Sequence, residues 1–166
     1  MCSLKRICRL AKGLMTIHKI NSSDLESDYT LIAVHSNAEP YKLAFEINLK
    51  LKTKLEKSHF DITFGDNASV FELFKHVSET YNTKLFLISN KSCNETMVDA
   101  PSLFENLSVS KHLVPELKKA EYLVKIEGGG FKIESLIKKL NEIDLIVSCY
   151  STKINNNKSK YNLIFD

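Results

Sequence analysis

Two apolar periods alternate along this chain, and the points where one gives way to the other mark its elements. Residues 29–36, "YTLIAVHS", form a β-rich apolar run that reads as a buried strand. Ser36, Asn37 and Pro40 then signal a helix start, since a short polar cap and an early proline both suit a first turn. The helix is predicted to run to about Thr53, with Leu43, Ile47, Leu51 and Leu55 recurring every four residues as a core stripe. Lys50, Lys52, Lys54 and Lys57 crowd its far end, where cations oppose the negative end of the helix dipole. They read as a solvated helix end and not as a phosphate site.

Further on, "HFDITF" (59–64) alternates and predicts a strand closed by Gly65 and Asp66. Residues 69–92 carry two signals. Val70, Phe74, Val77 and Tyr81 have helical spacing, and Ser69 with Glu72 has the form of a capping box. Phe71, Leu73 and Val77 lie at even spacings, and "SETYNT" suits a polar hairpin tip before the strand "KLFLIS". The local pattern alone leans to a helix.

Residues 93–111 are polar with scattered apolar positions and read as a loop that packs Leu103, Phe104 and Leu107 onto the core. A short helical turn after Pro115 leads to the strand "EYLVKIE", with Tyr122, Val124 and Ile126 on one face. After Gly128–Gly130, a helical stripe of Phe131, Ile133, Leu136, Ile137 and Leu140 follows. "IDLIVSCYS" (143–151) predicts a strand with Ile143, Leu145, Val147 and Cys149 facing one way, and 153–166 reads as a polar, flexible C-terminal tail.

The order strand–helix–strand thus occurs at 29–64 and again at 120–151. Two such units side by side predict an α+β fold of the ferredoxin-like plan. It is a two-layer sandwich, a mostly antiparallel sheet with two helices on one face, plus an inserted hairpin. The folded unit is expected as a single domain over 15–152.

Composition changes this picture little, but charge sharpens it. The chain has 166 residues, 43% hydrophobic and 26% charged, which suits one soluble globular domain. No apolar run approaches the roughly 20 residues that span a bilayer. The net charge of +3 comes from the first fourteen residues, which carry Lys5, Arg6, Arg9 and Lys12 and no acid. Without those four, 19 of the 23 basic residues remain against 20 acids, a net charge of −1. The spread of basic residues does not fit a signal peptide. A basic amphipathic helix with Leu4, Ile7, Cys8 and Leu14 on one side is the competing reading. The expectation is that residues 1–14 are a disordered or artefactual extension and that the protein proper starts at Met15. Basicity is then poor support for a nucleic-acid partner.

No catalytic residue, metal-ligand set or cofactor motif stands out. Cys2, Cys8, Cys93 and Cys149 form no CxxC pair, which fits a reducing, cytoplasmic setting. His18, His35, His59, His76 and His112 have no i, i+4 pair of the zinc-enzyme kind. Cys93 has no evident activating base, and Cys149 falls on the apolar side of its strand. Gly128, Gly129 and Gly130 between strand and helix admit an anion at the backbone, but GxGxxG and GxxxxGK[ST] spacings are lacking. With Lys91 they are the only candidate ligand-binding residues.

The stretch "VPELKKAEY" (114–122) resembles the motif of the bacterial IPExxxVDY family. Pro115, Glu116 and Tyr122 match outright, while Val114, Ala120 and Glu121 stand for isoleucine, valine and aspartate. "FLISNKS" (86–92) and the closing strand–helix–strand unit are similar too, so the likeness covers roughly residues 25–150. In that family the counterpart of 71–90 resembles a β-hairpin with an acidic tip, which favours a hairpin here. The resemblance implies no activity. Read physically, the motif marks a fold: proline fixes φ at a first helical position, Glu116 faces the positive helix end, and Tyr122 buries a ring whose hydroxyl needs a partner.

These readings point to a non-enzymatic interaction or regulatory module, with a homodimer through a sheet edge as the expected assembly. The alternatives are a domain binding a small anion or amino acid, and an RNA- or ribosome-associated protein; neither a membrane nor a nucleic-acid partner is expected.

Overall fold

The computed structural model describes residues 29–64, 69–92, 96–97, 108–109 and 111–164. Six strands form one antiparallel sheet in the order β10-β1-β9-β6-β5-β2. They are β1 (Tyr29–His35), β2 (Glu56–Lys57), β5 (Leu73–Ser78), β6 (Thr83–Ser89), β9 (Tyr122–Glu127) and β10 (Ser148–Thr152). Two small ladders lie outside it, β3 (Ile62–Phe64) with β4 (Ser69–Phe71), and β7 (Thr96–Met97) with β8 (Ser108–Val109). The helices are α1 (Pro40–Leu51), α2 (Ile133–Asn141) and the short α3 (Asn157–Tyr161).

The alternation of side chains along each strand sorts the core into two layers. Ile32 and Val34 of β1, Leu85 and Leu87 of β6, and Tyr122, Val124 and Ile126 of β9 point to one face. There they meet Leu43, Ala44 and Ile47 of α1 and Leu136 and Leu140 of α2. The opposite face carries Leu31, Phe86, Ile88 and Leu123, covered by Leu113, Val114, Ile154 and Leu163. The fold is therefore α+β with both main helices on one side of the sheet, and the four strands β10-β1-β9-β6 have the order of the ferredoxin-like plan.

The second strand of the first unit is not the expected one. Residues 59–64 contribute only β3, in a separate ladder, and β6 takes the place beside β9. β6 is long and apolar on both faces, so it fits a central position that "HFDITF", with Phe60 exposed, does not. Residues 73–89 form a hairpin, β5–β6, turned through Glu79–Asn82, with Asn82 at a positive φ of 43°. Helical spacing there lost to the even spacing of Leu73 and the two-sided burial that a neighbour in the sheet supplies.

Other boundaries shift in ways the backbone explains. α1 ends at Leu51 because Lys52 takes the left-handed conformation, φ 55°, and Thr53 turns its N–H back to the Asn48 carbonyl. Leu55 is buried but beyond the helix, where its N–H donates to Asn48 Oδ1 at 2.6 Å. α1 starts without a side-chain cap; Glu39 holds that position, and Ser36 instead accepts the Ala38 N–H. The strand expected over 143–151 is confined to Ser148–Thr152, and Val147, expected to face inward, is 76% exposed.

The segment expected as a flexible tail folds back over the sheet. α3 is capped by Asn156, whose side chain accepts the Lys158 N–H, and Ile154, Ser159 and Leu163 are buried. The expectations for residues 1–14, for Met15 and for the loop residues Leu103, Phe104 and Leu107 lie outside the described residues.

Candidate functional site

The motif residues sit where three chain segments meet at one end of β9. Asn90, fully buried just after β6, is the hub. Its Nδ2 donates to the carbonyls of Leu117 and Ala120, both at 2.9 Å, and its Oδ1 accepts the Val114 N–H. Its own backbone pairs with Leu113 and Glu121. One amide side chain thus satisfies three backbone groups that flank and close the 3₁₀ turn Pro115–Leu117. Val114 and Ala120 are buried on either side of that turn.

Of the three outright motif matches, Glu116 and Tyr122 make long-range contacts and Pro115 shapes the turn. Pro115 opens the 3₁₀ turn. Glu116 accepts the Ser159 hydroxyl on both carboxylate oxygens, at 2.9 and 2.7 Å, and so anchors α3. Burial opposes its charge, but the bonds from Ser159, its own backbone N–H and Asn156 prevail and hold its pKa below the usual carboxylate value. Tyr122 buries its ring beneath α1 and donates its hydroxyl to the Ala38 carbonyl, fixing the entry to that helix.

Glu121 points the other way. Its Oε2 accepts the Ser36 N–H at 3.2 Å and lies 3.6 Å from His35 Nδ1. The His35 ring stacks on Tyr150. Between these groups and Lys91 runs an open cleft of about 370 Å³, lined also by Ser36, Pro40 and Ser89. Lys91 and motif residues Glu121 and Tyr122 therefore share one concavity.

The glycines are elsewhere, at the opposite end of β9. Gly128 has φ +87° and lies so close to the hairpin turn that a Cβ would come 2.1 Å from the Asn82 carbonyl oxygen. A Cβ on Gly130 would meet the Thr83 hydroxyl at 2.3 Å, the same group that accepts the Gly130 N–H at 3.0 Å. The run is used for close packing against the β5–β6 turn, and it does not join Lys91 in a site.

Among the described residues, Cys149 and His76 are held in structural roles. Cys149 is a buried free thiol against α2, and desolvation pushes its pKa up to about 11. His76 accepts the Lys54 N–H at 3.2 Å. With His59, Phe60 and Lys57 it lines an open cleft of about 600 Å³ at the β2–β5 edge. Lys54 and Lys57 there are paired with Glu56 and Glu72. Among the described residues no group of three or more His, Cys, Asp or Glu is placed to hold a metal ion. No helix among them is long and apolar enough to cross a membrane.

A surface feature missed by the sequence reading lies on α1. Tyr41, Phe45 and Leu49 recur every fourth residue on the side away from the core, and each is 60% exposed. The spacing was legible, but the inner stripe of Leu43 and Ile47 absorbed it. Asn90, Ser159 and Lys125 also had no local signal, because their partners lie far away in the chain. Comparisons of the chain with protein-family models, curated proteins and solved structures found no match.

Proposed function

We propose that this protein is a non-enzymatic interaction module that associates with a second copy of itself through the outer face of α1. The observation that carries this reading is the stripe Tyr41–Phe45–Leu49. A helix apolar on both sides is normally covered on both sides. α2 makes the contrast: Leu136 and Leu140 face inward, and Glu134, Lys138 and Lys139 keep its outer side charged.

Charge favours a second copy as the occupant. In an antiparallel pairing centred on Phe45, Tyr41 meets Leu49 of the partner. Lys42 of each copy pairs with Glu39 of its own chain. It then lies on the same flank as Glu46 of the other copy and about 3 Å from it along the axis, so the flank of the stripe is self-complementary. α1 has 12 residues, about 18 Å of helix, so a single stripe of three side chains falls short of the ~800 Å² per partner of a standard interface. The association is therefore weak and concentration-dependent. The sheet edges offer less apolar surface: β2 is two residues long, and β10 exposes Ser148, Tyr150 and Ser151.

The pairing of Lys50, Lys54 and Lys57 with Glu142, Glu56 and Glu72 supports a reading without nucleic acid. The free Cys149 thiol supports a reducing, cytoplasmic compartment. Membership of the IPExxxVDY family is likewise proposed, supported by the turn that Pro115 opens and by the long-range bonds of Glu116 and Tyr122.

Sedimentation velocity over a concentration series tests the dimer. Wild type should shift from monomer to dimer, Phe45→Asp should stay monomeric, and Lys42→Glu should weaken association. Lys42→Glu/Glu46→Lys should restore it. A wild-type monomer at every concentration, or no response to Phe45→Asp, overturns the reading.

A further inference from the structure

We infer that the cleft between Lys91 and Glu121 binds a small zwitterion, a free α-amino acid, with its carboxylate on Lys91 and Ser89 and its ammonium on Glu121. The cleft brings together the ends of β1 and β6, the start of β9 and the N-terminus of α1. Its walls carry one charge of each sign, and these are not paired with each other. Lys91 forms no ion pair among the described residues. Glu121 uses Oε2 for Ser36 and His35, and its Oε1 makes no hydrogen bond or ion pair among the described residues.

A second observation concerns Ser89. The residue is only 6% exposed, lines the cleft, and its hydroxyl makes no hydrogen bond among the described residues. That hydroxyl is free to donate to a ligand oxygen in the cleft. The positive end of the α1 dipole, entering at Pro40, favours the same carboxylate.

Opposed charges select the ligand class. A simple anion would gain Lys91 but face the Glu121 carboxylate, and a simple cation would meet the reverse. A molecule carrying both charges a few atoms apart satisfies both walls. The volume of about 370 Å³ lies at the low end for ligand sites and suits a molecule of amino-acid size. Behind the cleft, buried Asn90 precedes Lys91 in the chain and donates its backbone N–H to the Glu121 carbonyl, which ties the two wall segments together.

Thermal unfolding of the full chain with each of the proteinogenic amino acids at millimolar concentration tests this. Each acid that acts is compared with its decarboxylated amine and its deaminated acid. At least one amino acid should raise Tm by a few degrees while its two truncated analogues do not. Lys91→Gln removes a side chain with no ion pair, so it should keep the ligand-free Tm and lose the shift, with affinity reduced about tenfold or more. Glu121→Gln should also lose the shift. The proposal is overturned if no amino acid raises Tm, if an analogue lacking the ammonium acts equally well, or if Lys91→Gln retains the shift.

Discussion

Lys125 donates from Nζ to the carbonyl oxygen of Leu163 at 2.8 Å, joining a central strand to the C-terminal segment. The ammonium is 3% exposed, lies over the rings of Tyr29 and Phe86, and pairs with Glu127 at 2.5 Å. A buried cation survives only where such partners surround it. The segment 153–164 is thus part of the fold, closing the sheet face opposite the main helices.

Leu163→Ala should cost about 2–5 kcal/mol, because a fully buried side chain is lost and the cover over Lys125 loosens. Truncation after Thr152 should cost more, since Ile154 leaves with it. Urea denaturation measures both. A truncated chain as stable as wild type would show that the segment adds nothing.

Asn90→Ala removes three side-chain hydrogen bonds at once, to Val114, Leu117 and Ala120. Each buried group left unsatisfied costs about 1–3 kcal/mol. The variant should be among the least stable single substitutions, and amide exchange should rise first at Val114.

Gly128→Ala and Gly129→Ala form a matched pair. The first forces a Cβ to 2.1 Å from the Asn82 oxygen at a positive φ, and should cost about 1–3 kcal/mol or more. The second meets nothing within 4 Å and should stay within about 0.5 kcal/mol of wild type. Equal effects in thermal melts would contradict the close packing against the hairpin turn.

Cys149, with its pKa raised to about 11, should be protonated and unreactive at neutral pH in the folded protein. Peptide-resolved mass spectrometry after alkylation should find it unlabelled in buffer and labelled in urea. Native labelling at neutral pH would contradict its burial.

Glu116 has its folded pKa lowered relative to the unfolded chain, so its contribution is present above the ordinary carboxylate value. That contribution is lost as pH falls through the depressed value. Ser159→Ala removes the main favourable bond, so its destabilisation should be largest near neutrality and shrink in acid. The carboxylate is solvent-exposed, so the effect is small. A gap in urea midpoint that grows on acidification would reverse the sign.

Local pattern in the chain is enough to mark which residues face a core. β1, the inner stripe of α1, the turn at Pro115, the face Tyr122–Val124–Ile126 and the burial of Leu136, Leu140 and Cys149 all follow from period and punctuation. Those signals are local, because a strand or helix turns its own neighbours in or out. The tertiary structure decided what each face meets. It set β6 beside β9 in place of 59–64, resolved 73–89 as a hairpin, and laid 153–164 over Lys125. It also brought Lys91 to Glu121 while sending the glycines to the far end of β9. Pairing, capping and satisfaction of buried polar groups depend on partners tens of residues away, as between Glu116 and Ser159, and only the folded chain brings them together.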